Sequence, residues 1–208
     1  MADSEGVIQF AYNLESPKTL LDDHLFKGLN AWRRVFKDLD LIGQDPERYG
    51  GLGFGNVSAR DPNDASGFVI TASQTGRLKT LTPRHYVQVT GYNLDRFWID
   101  AEGDRPPSSE ALTHAALYSA DERIDWIFHG HSPDIFERAE MLKLPTIPEH
   151  VTYGSPAMAQ AVRDLLESNM SRPIIFVSLG HTDGVFACGP TSRDAGSLLV
   201  TTLARAFL

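Results

Sequence analysis

The stretch that decides the fold reads Trp126-Ile127-Phe128-His129-Gly130-His131, a short apolar run ending in two histidines that one glycine separates. Its length and apolar character predict a buried β-strand. Side chains two apart in a strand point to the same face, so both imidazoles can reach one metal ion, while Gly130 leaves the opposite face uncrowded. Because the pattern also arises by chance, a metal site needs at least one further ligand.

A second apolar run supplies that ligand. Ile174-Ile175-Phe176-Val177 is followed by Gly180-His181, so this histidine also stands at the end of a predicted strand. Three neutral imidazoles with one open coordination position are typical of a catalytic zinc site. We therefore predict that a metal binds to His129, His131 and His181. The remaining isolated histidines are interpreted as surface or structural residues, namely His24, His85 and His150.

A carboxylate follows a proline-rich turn. Pro106-Pro107-Ser108-Ser109 precedes Glu110 and a run of helical periodicity, which predicts that a serine caps a helix whose first turn carries Glu110. Such a carboxylate complements the helix dipole in any protein. Here the serines and the free backbone N–H groups also form an anion site beside a potential base. His114, one turn along, is expected to brace Glu110, with metal ligation as the alternative.

Two loops could bind an oxyanion. Gly55-Asn56-Val57-Ser58 and Thr75-Gly76 each combine glycine with hydrogen-bonding side chains, although either is also common as a simple turn. Neither contains the glycine spacing of a dinucleotide fingerprint or the lysine of a Walker loop.

The remaining pattern indicates one α/β domain. From Thr19 an apolar stripe predicts an amphipathic helix, and four extended pieces between Phe54 and Trp98 predict a β meander. Later strands alternate with helices, which favours a sheet covered by helices on its faces. We assign residues 19–208 to this domain and residues 1–18 to a lead-in segment, in which Phe10, Tyr12 and Leu14 alternate enough to permit a short strand.

Composition excludes several classes of protein. The chain has 208 residues, 42% of them hydrophobic, and a net charge of -8 without a run of Lys and Arg, so nucleic acid is not an expected partner. Cys188 is the single cysteine, and the first thirty residues lack the pattern of a secretory signal. Apolar stretches fall short of the roughly 20 residues that cross a membrane. A cytoplasmic location without membrane partners is expected.

Taken in order, these motifs resemble the class II aldolase/adducin family. The matching residues are Gly55-Asn56-Val57-Ser58, Thr75-Gly76, Pro107-Ser108-Ser109-Glu110, His129-Gly130-His131 and Gly180-His181, and the resemblance extends from about residue 20 to the C-terminus. It implies a three-layer α/β/α domain with a mostly antiparallel central sheet, usually as a homotetramer with active sites at subunit interfaces.

The resemblance also implies roles for these residues. Zinc is held by the three histidines, and Glu110 is the acid/base, with a pKa that a partly dry pocket is expected to raise. The phosphate of a small carbohydrate-like substrate is held by Asn56, Thr75, Gly76, Ser108 and Ser109. The expected reaction is reversible carbon–carbon cleavage of a small hydroxy-ketone or ketose phosphate through a zinc-stabilised ene-diolate. An epimerase, dehydratase or decarboxylase, or a non-catalytic adducin-like assembly module, remains an alternative.

Two departures from the family pattern affect the site. Thr182-Asp183 separates His181 from the following strand, so Asp183 is an alternative oxygen ligand. The segment between His131 and Tyr153 is short, whereas aldolases of the family usually have there a tyrosine that donates a proton across the subunit interface. Tyr153 is the only tyrosine in the interval.

Overall fold

One mixed β-sheet runs through the middle of the molecule, for which the computed structural model describes residues 6–153 and 155–208. The strands in these ranges are β1 (Ala11–Glu15), β2 (Gly43–Gln44), β3 (Gly53–Phe54), β4 (Asn56–Asp61), β5 (Asp64–Thr71), β6 (Tyr86–Asn93), β7 (Trp98–Glu102), β8 (Trp126–His131), β9 (Thr146–Ile147), β10 (Ile174–Ser178) and β11 (Gly184–Gly189). Nine of them form the sheet, and β2 pairs with β3 in a separate antiparallel ribbon.

The sheet is mostly antiparallel. Its strand order is β1-β7-β6-β5-β4-β8-β11-β10-β9, in which the pairs β1 with β7 and β10 with β9 are parallel. Strands β4 to β7 are sequential neighbours, which confirms the predicted β meander. Strand β8, which ends in the two histidines, lies between β4 and β11, so it is paired along both edges.

Helices cover both faces of the sheet. They are α1 (Asp23–Asp38), α2 (Ala111–Ala120), α3 (Pro133–Glu137), α4 (Pro156–Ser168) and α5 (Ser192–Ala206). Buried residues of α2 and α4 cluster with Phe68 and Ile70, while those of α1, α3 and α5 cluster with Val69. Because successive strand residues point to opposite faces, the two clusters are the two sides of one sheet. The predicted α/β/α arrangement with a mostly antiparallel sheet is confirmed.

Burial on both faces explains the continuous apolar runs of the sequence. In β10, Ile174 and Phe176 belong to one cluster, whereas Ile175 belongs to the other. A strand covered on both faces has no polar side, so its sequence does not alternate. Every residue of β10 and β11 is buried.

Helix α1 carries the predicted apolar stripe but begins after Thr19. Leu25, Leu29 and Phe36 are buried, as the stripe predicts. The helix starts where the side chain of Asp22 accepts a hydrogen bond of 2.8 Å from the backbone N–H of Leu25. An N-cap side chain satisfies an otherwise unpaired donor of the first turn, and this local bond sets the boundary more firmly than periodicity does.

The N-terminal residues contribute to the sheet. The short strand that the alternation of residues 10–14 permits is present as β1, and Phe10 is buried in the core. Residues 1–5 of the predicted lead-in segment lie outside the described residues. Among the helices of the described ranges, none is long and apolar enough to cross a membrane.

Candidate metal centre and adjoining cleft

The pairing of β8 with β11 brings the three predicted metal ligands together. Gly184 lies opposite His131 and Phe186 lies opposite His129 in this antiparallel pair. His181 belongs to the tight turn between β10 and β11, where its backbone N–H donates to Ser178 over 3.0 Å and its carbonyl accepts from Gly184 over 2.8 Å. The turn therefore lies at the end of β8, beside the two other imidazoles.

The three imidazoles have the spacing of a metal site. One nitrogen from each ring lies within 4.8 Å of the others, and the Nε2 atoms of His129 and His131 are 3.1 Å apart. Two nitrogens bound at about 2.0–2.1 Å to one tetrahedral zinc ion would be separated by roughly 3.3 Å. All three residues are buried. Donor type, spacing and burial thus fit a divalent ion such as zinc.

Hydrogen bonding and burial keep the rings of His129 and His131 in the neutral form that binds a metal. Nδ1 of His129 donates to the carbonyl oxygen of Val185 over 3.1 Å, which leaves the lone pair on Nε2. Burial lowers the pKa of His129 to about 3 and lowers the pKa of His131 well below its ordinary value. Both rings are therefore neutral at neutral pH, as metal ligands must be.

Glu110 lies against the third ligand, at the start of α2. Its Oε1 is 3.1 Å from Nδ1 of His181, and both side chains are buried. The structure corrects the predicted helix start by one residue, because α2 begins at Ala111 and Glu110 is itself the N-cap residue. Ser108 forms the preceding turn, in which its carbonyl accepts from Ala111 over 3.0 Å and its hydroxyl accepts from Glu110 over 3.4 Å.

The pKa of Glu110 departs from the expectation. Burial favours the neutral acid, but the charge and hydrogen bond of His181 outweigh burial and lower the pKa to about 2. The predicted increase is therefore wrong, because it considered the dry pocket without the neighbouring imidazole. Glu110 is therefore a carboxylate at neutral pH, which is the form that accepts a proton, and its low pKa makes it a weaker base than an unshifted glutamate.

His114 does not brace Glu110. Its Nδ1 lies 2.7 Å from the hydroxyl of Ser58, which is 2.7 Å from the hydroxyl of Tyr118. The three-histidine cluster does not include it either. Both roles predicted for His114 are therefore wrong, because Ser58 on β4 reaches its ring.

Asp183 and Tyr153 surround the ligands without joining them. Asp183 is outside the ligand cluster, and its Oδ2 accepts a hydrogen bond of 2.5 Å from the hydroxyl of Tyr49, so the alternative of an Asp183 ligand is wrong. The ring of Tyr153 stacks on His181 with centroids 4.8 Å apart, and its hydroxyl donates to Val7 over 3.4 Å. Tyr153 therefore packs behind the third ligand.

A cleft beside the metal centre collects the predicted substrate-binding residues. The cleft is small and partly open to solvent. Glu110 and His129 form the wall nearest the metal centre. The wall also includes all the residues predicted to hold a phosphate, namely Asn56, Thr75, Gly76, Ser108 and Ser109.

Polar groups in this cleft differ in whether they are free to form a hydrogen bond with a ligand. The side-chain oxygen of Asn56 is buried and, within the described ranges, has no hydrogen-bond partner, so it can bind a ligand. The hydroxyl of Thr75 instead donates to the carbonyl of Ala72 over 2.9 Å. Thr75 can therefore serve an anion through its backbone more readily than through its hydroxyl proton.

A buried arginine that was not among the predicted site residues holds the Thr75-Gly76 loop. The Nη2 atom of Arg33 donates to the carbonyls of Thr75 over 3.0 Å and Gly76 over 3.2 Å. A peptide C=O and the following N–H point in opposite directions, so these bonds turn the next N–H groups away from Arg33. The signal was available, since Arg33 lies on the apolar stripe between Leu29 and Phe36.

The N-terminal segment also reaches the cleft, which no pattern in the sequence indicated. Gly6 lines it, and the side chain of Gln74 joins this segment to β3 by donating to Gly6 over 3.2 Å and accepting from Gly53 over 3.1 Å. Gln74 has a φ of 57°, which is uncommon outside glycine. Gly6, Gly53 and Gln74 thus form one edge of the cleft, which we call the rim.

Substitution of Gly76 tests how tightly the loop beside this rim is packed. A Cβ atom at Gly76 would lie 1.9 Å from the carbonyl oxygen of Gly43, so Gly76→Ala must displace backbone. We expect a loss of about 1–3 kcal/mol in the free energy of unfolding, measured by urea denaturation. Gly91→Ala, whose Cβ would have only ordinary contacts of 3.5 Å or more, is the control. Equal stabilities of the two variants would contradict this packing.

Comparison with known proteins supports the same assignment. Residues 47–206 match the model of the "Class II Aldolase and Adducin N-terminal domain" family. No curated protein sequence gives a significant match.

Solved structures share the fold. An L-fuculose 1-phosphate aldolase is 20% identical with a TM-score of 0.65, over 91% of this chain and 86% of its own. L-fuculose-1-phosphate aldolase from Thermus thermophilus is 19% identical with a TM-score of 0.65, over 89% and 92%. YgbL from Escherichia coli, provisionally assigned as an aldolase, epimerase or decarboxylase, is 20% identical with a TM-score of 0.62, over 88% and 87%. At these identities the likeness shows the fold.

Proposed function

The chain belongs to the class II aldolase and adducin N-terminal domain family, and from that premise we propose that it is a zinc-dependent lyase. Its reaction is the reversible carbon–carbon cleavage of a small hydroxy-ketone or ketose phosphate. One observation carries the proposal: three buried imidazoles converge beside a buried carboxylate, at the wall of a polar cleft.

The contacts suggest separate roles for the histidines and for Glu110. His129, His131 and His181 would hold the ion, which when bound supplies Lewis-acid polarisation of a ketone. Glu110 accepts and returns the proton on the carbon beside that ketone, because its carboxylate lies within the cleft and is ionised at neutral pH. The contact of 3.1 Å between its Oε1 and Nδ1 of His181 places this carboxylate beside the third ligand.

The far end of the cleft suits a phosphate. Ser108 and Ser109 precede the N-terminus of the ten-residue helix α2, where the helix dipole favours an anion. The side-chain oxygen of Asn56, free among the residues described, is an acceptor, so it suits a hydroxyl group of the substrate. Gly76 lines the same cleft, on a loop that packs closely against Gly43. A small phosphorylated or hydroxylated carbohydrate matches this polarity and the modest volume.

Alternatives on the same scaffold are an epimerase, a dehydratase or a decarboxylase, since fold and metal do not determine the reaction. A non-catalytic adducin-like module would have no need for three convergent imidazoles beside a carboxylate. Assembly as a homotetramer is part of the proposal, and light scattering measures it.

Proton exchange should distinguish the metal chemistry from complete aldol cleavage. Tyr153 is buried behind His181 with its hydroxyl directed to Val7, so it is poorly placed to donate a proton to a leaving aldehyde. We expect slow cleavage of ketose 1-phosphates but substantial deuterium incorporation from heavy water into dihydroxyacetone phosphate, because exchange requires only the ion and Glu110.

Mass spectrometry of the ketone measures exchange, and aldehyde release measures cleavage. Tyr153→Phe keeps the ring on His181 and should leave the exchange rate unchanged. Fast cleavage that this substitution does not affect would contradict the importance of the short segment before Tyr153. Absence of both exchange and cleavage would favour a different substrate or the non-catalytic alternative.

A further inference from the structure

A tyrosine distant in sequence is bonded to the turn that carries His181. The hydroxyl of Tyr49 donates to Oδ2 of Asp183 over 2.5 Å, although the two residues are 134 positions apart. The Nη2 atom of Arg48 donates to the same hydroxyl over 2.9 Å. A carboxylate acceptor makes the first bond a strong one. The turn after β10 is therefore attached to the segment before β3.

The same tyrosine contacts a second metal ligand. Its ring meets the ring of His131 edge to face, with centroids 4.7 Å apart and planes at 66°. Phe54 packs against both rings, at 5.1 Å from Tyr49 and 5.6 Å from His131. The guanidinium of Arg48 lies 4.3 Å from the centre of the Phe54 ring and covers it. Arg48, Tyr49 and Phe54 thus form one packed group beside His131.

Both ends of the hydrogen bond have an uncommon backbone conformation. Tyr49 has a φ of 48° and Asp183 a φ of 61°, in the left-handed region that favours glycine. Side chains in this region cost free energy and persist where the surrounding contacts determine them. The bond between two such residues is therefore a specific feature of this fold and differs from a chance surface contact.

We propose that Tyr49 is a positioning residue of the metal centre, acting through Asp183 on the His181 turn and through its ring on His131. The proposal rests on the metal site of the proposed function. Groups around the ligands determine ring orientation and so contribute to metal affinity. This role explains Asp183, which the sequence places as an insertion after the third ligand and which is not itself a ligand. Tyr49 therefore aligns one ligand on strand β8 and one ligand in the turn after β10.

The test combines Tyr49→Phe, which keeps the ring and removes the hydroxyl, with Asp183→Asn, which tolerates the left-handed backbone. Zinc dissociation constants are measured by competition with a chelator, and cobalt is substituted for zinc to record the visible spectrum. We expect Tyr49→Phe to weaken zinc binding about 10- to 100-fold and to change the cobalt spectrum. Asp183→Asn should have a smaller effect, and it should add nothing in the Tyr49→Phe background because both act through one bond.

Tyr12→Phe, which removes the hydroxyl of a more exposed tyrosine on β1, is the matched control and should leave affinity and spectrum unchanged. A merely structural role would lower the urea midpoint of Tyr49→Phe while its zinc affinity and cobalt spectrum remained those of the wild type, and that result would overturn the proposal. If the wild-type protein itself binds no zinc, the metal site fails, and this inference fails with it. Zinc binding by the wild type with an unaffected Tyr49→Phe rejects only the positioning role.

Discussion

Replacing His131 with alanine is expected to weaken zinc binding by more than about 100-fold. Loss of a ligand should weaken binding more than loss of a residue that only positions a ligand. His129→Ala and His181→Ala should have the same result, because an open three-histidine site has no spare ligand. Within the described ranges, the cluster contains these histidines and no other metal-binding side chain. Elemental analysis and chelator competition measure the effect, and turnover should fall with occupancy.

His150→Ala is the matched control for these substitutions. Its side chain is exposed, so its removal should leave about one ion per chain. Unchanged metal content in His181→Ala would show that the third ligand is wrongly assigned. Glu110 would then be the next candidate, because its Oε1 lies 3.1 Å from Nδ1 of His181.

Glu110→Gln is expected to lower turnover roughly 10²- to 10⁴-fold while zinc remains bound. The amide has nearly the same shape as the carboxylate, and its oxygen can still accept a hydrogen bond from His181. It cannot accept the substrate proton, so the loss should appear in the chemical step. Steady-state kinetics and deuterium exchange should fall together, since both need the same base.

The control for Glu110→Gln is its zinc content and unfolding midpoint, both of which should stay near the wild-type values. Loss of zinc in this variant would identify Glu110 chiefly as a ligand. A turnover near that of the wild type would remove it from the mechanism.

Local patterns predicted much of the site. The two-residue period of a strand placed His129 and His131 on one face, and a glycine beside His181 marked the turn after the second apolar strand. The backbone pairing of β8 with β11 brings these three histidines together. The five residues predicted to bind phosphate line one cleft, although they come from separate parts of the sequence.

Other features depend on residues that are distant in the chain. The pKa of Glu110 is lowered because His181, which follows strands β8, β9 and β10 in the chain, lies against it. Arg33 donates to carbonyls of the loop at residues 75–79, so a charged residue within an apolar stripe is buried with distant backbone groups as its acceptors. Neither contact has a local signature.

The sequence by itself determined the elements, the two buried strands and the types of residue at their ends, because periodicity and turn chemistry are short-range properties. The tertiary structure alone decided that Tyr49 bonds to Asp183, that His114 bonds to Ser58, and that the pKa of Glu110 is lowered. These outcomes depend on which surfaces pack together and on the electrostatic environment that packing creates. A burial penalty and a neighbouring imidazole act in opposite directions on one carboxylate, and the distance between the two groups decides the result.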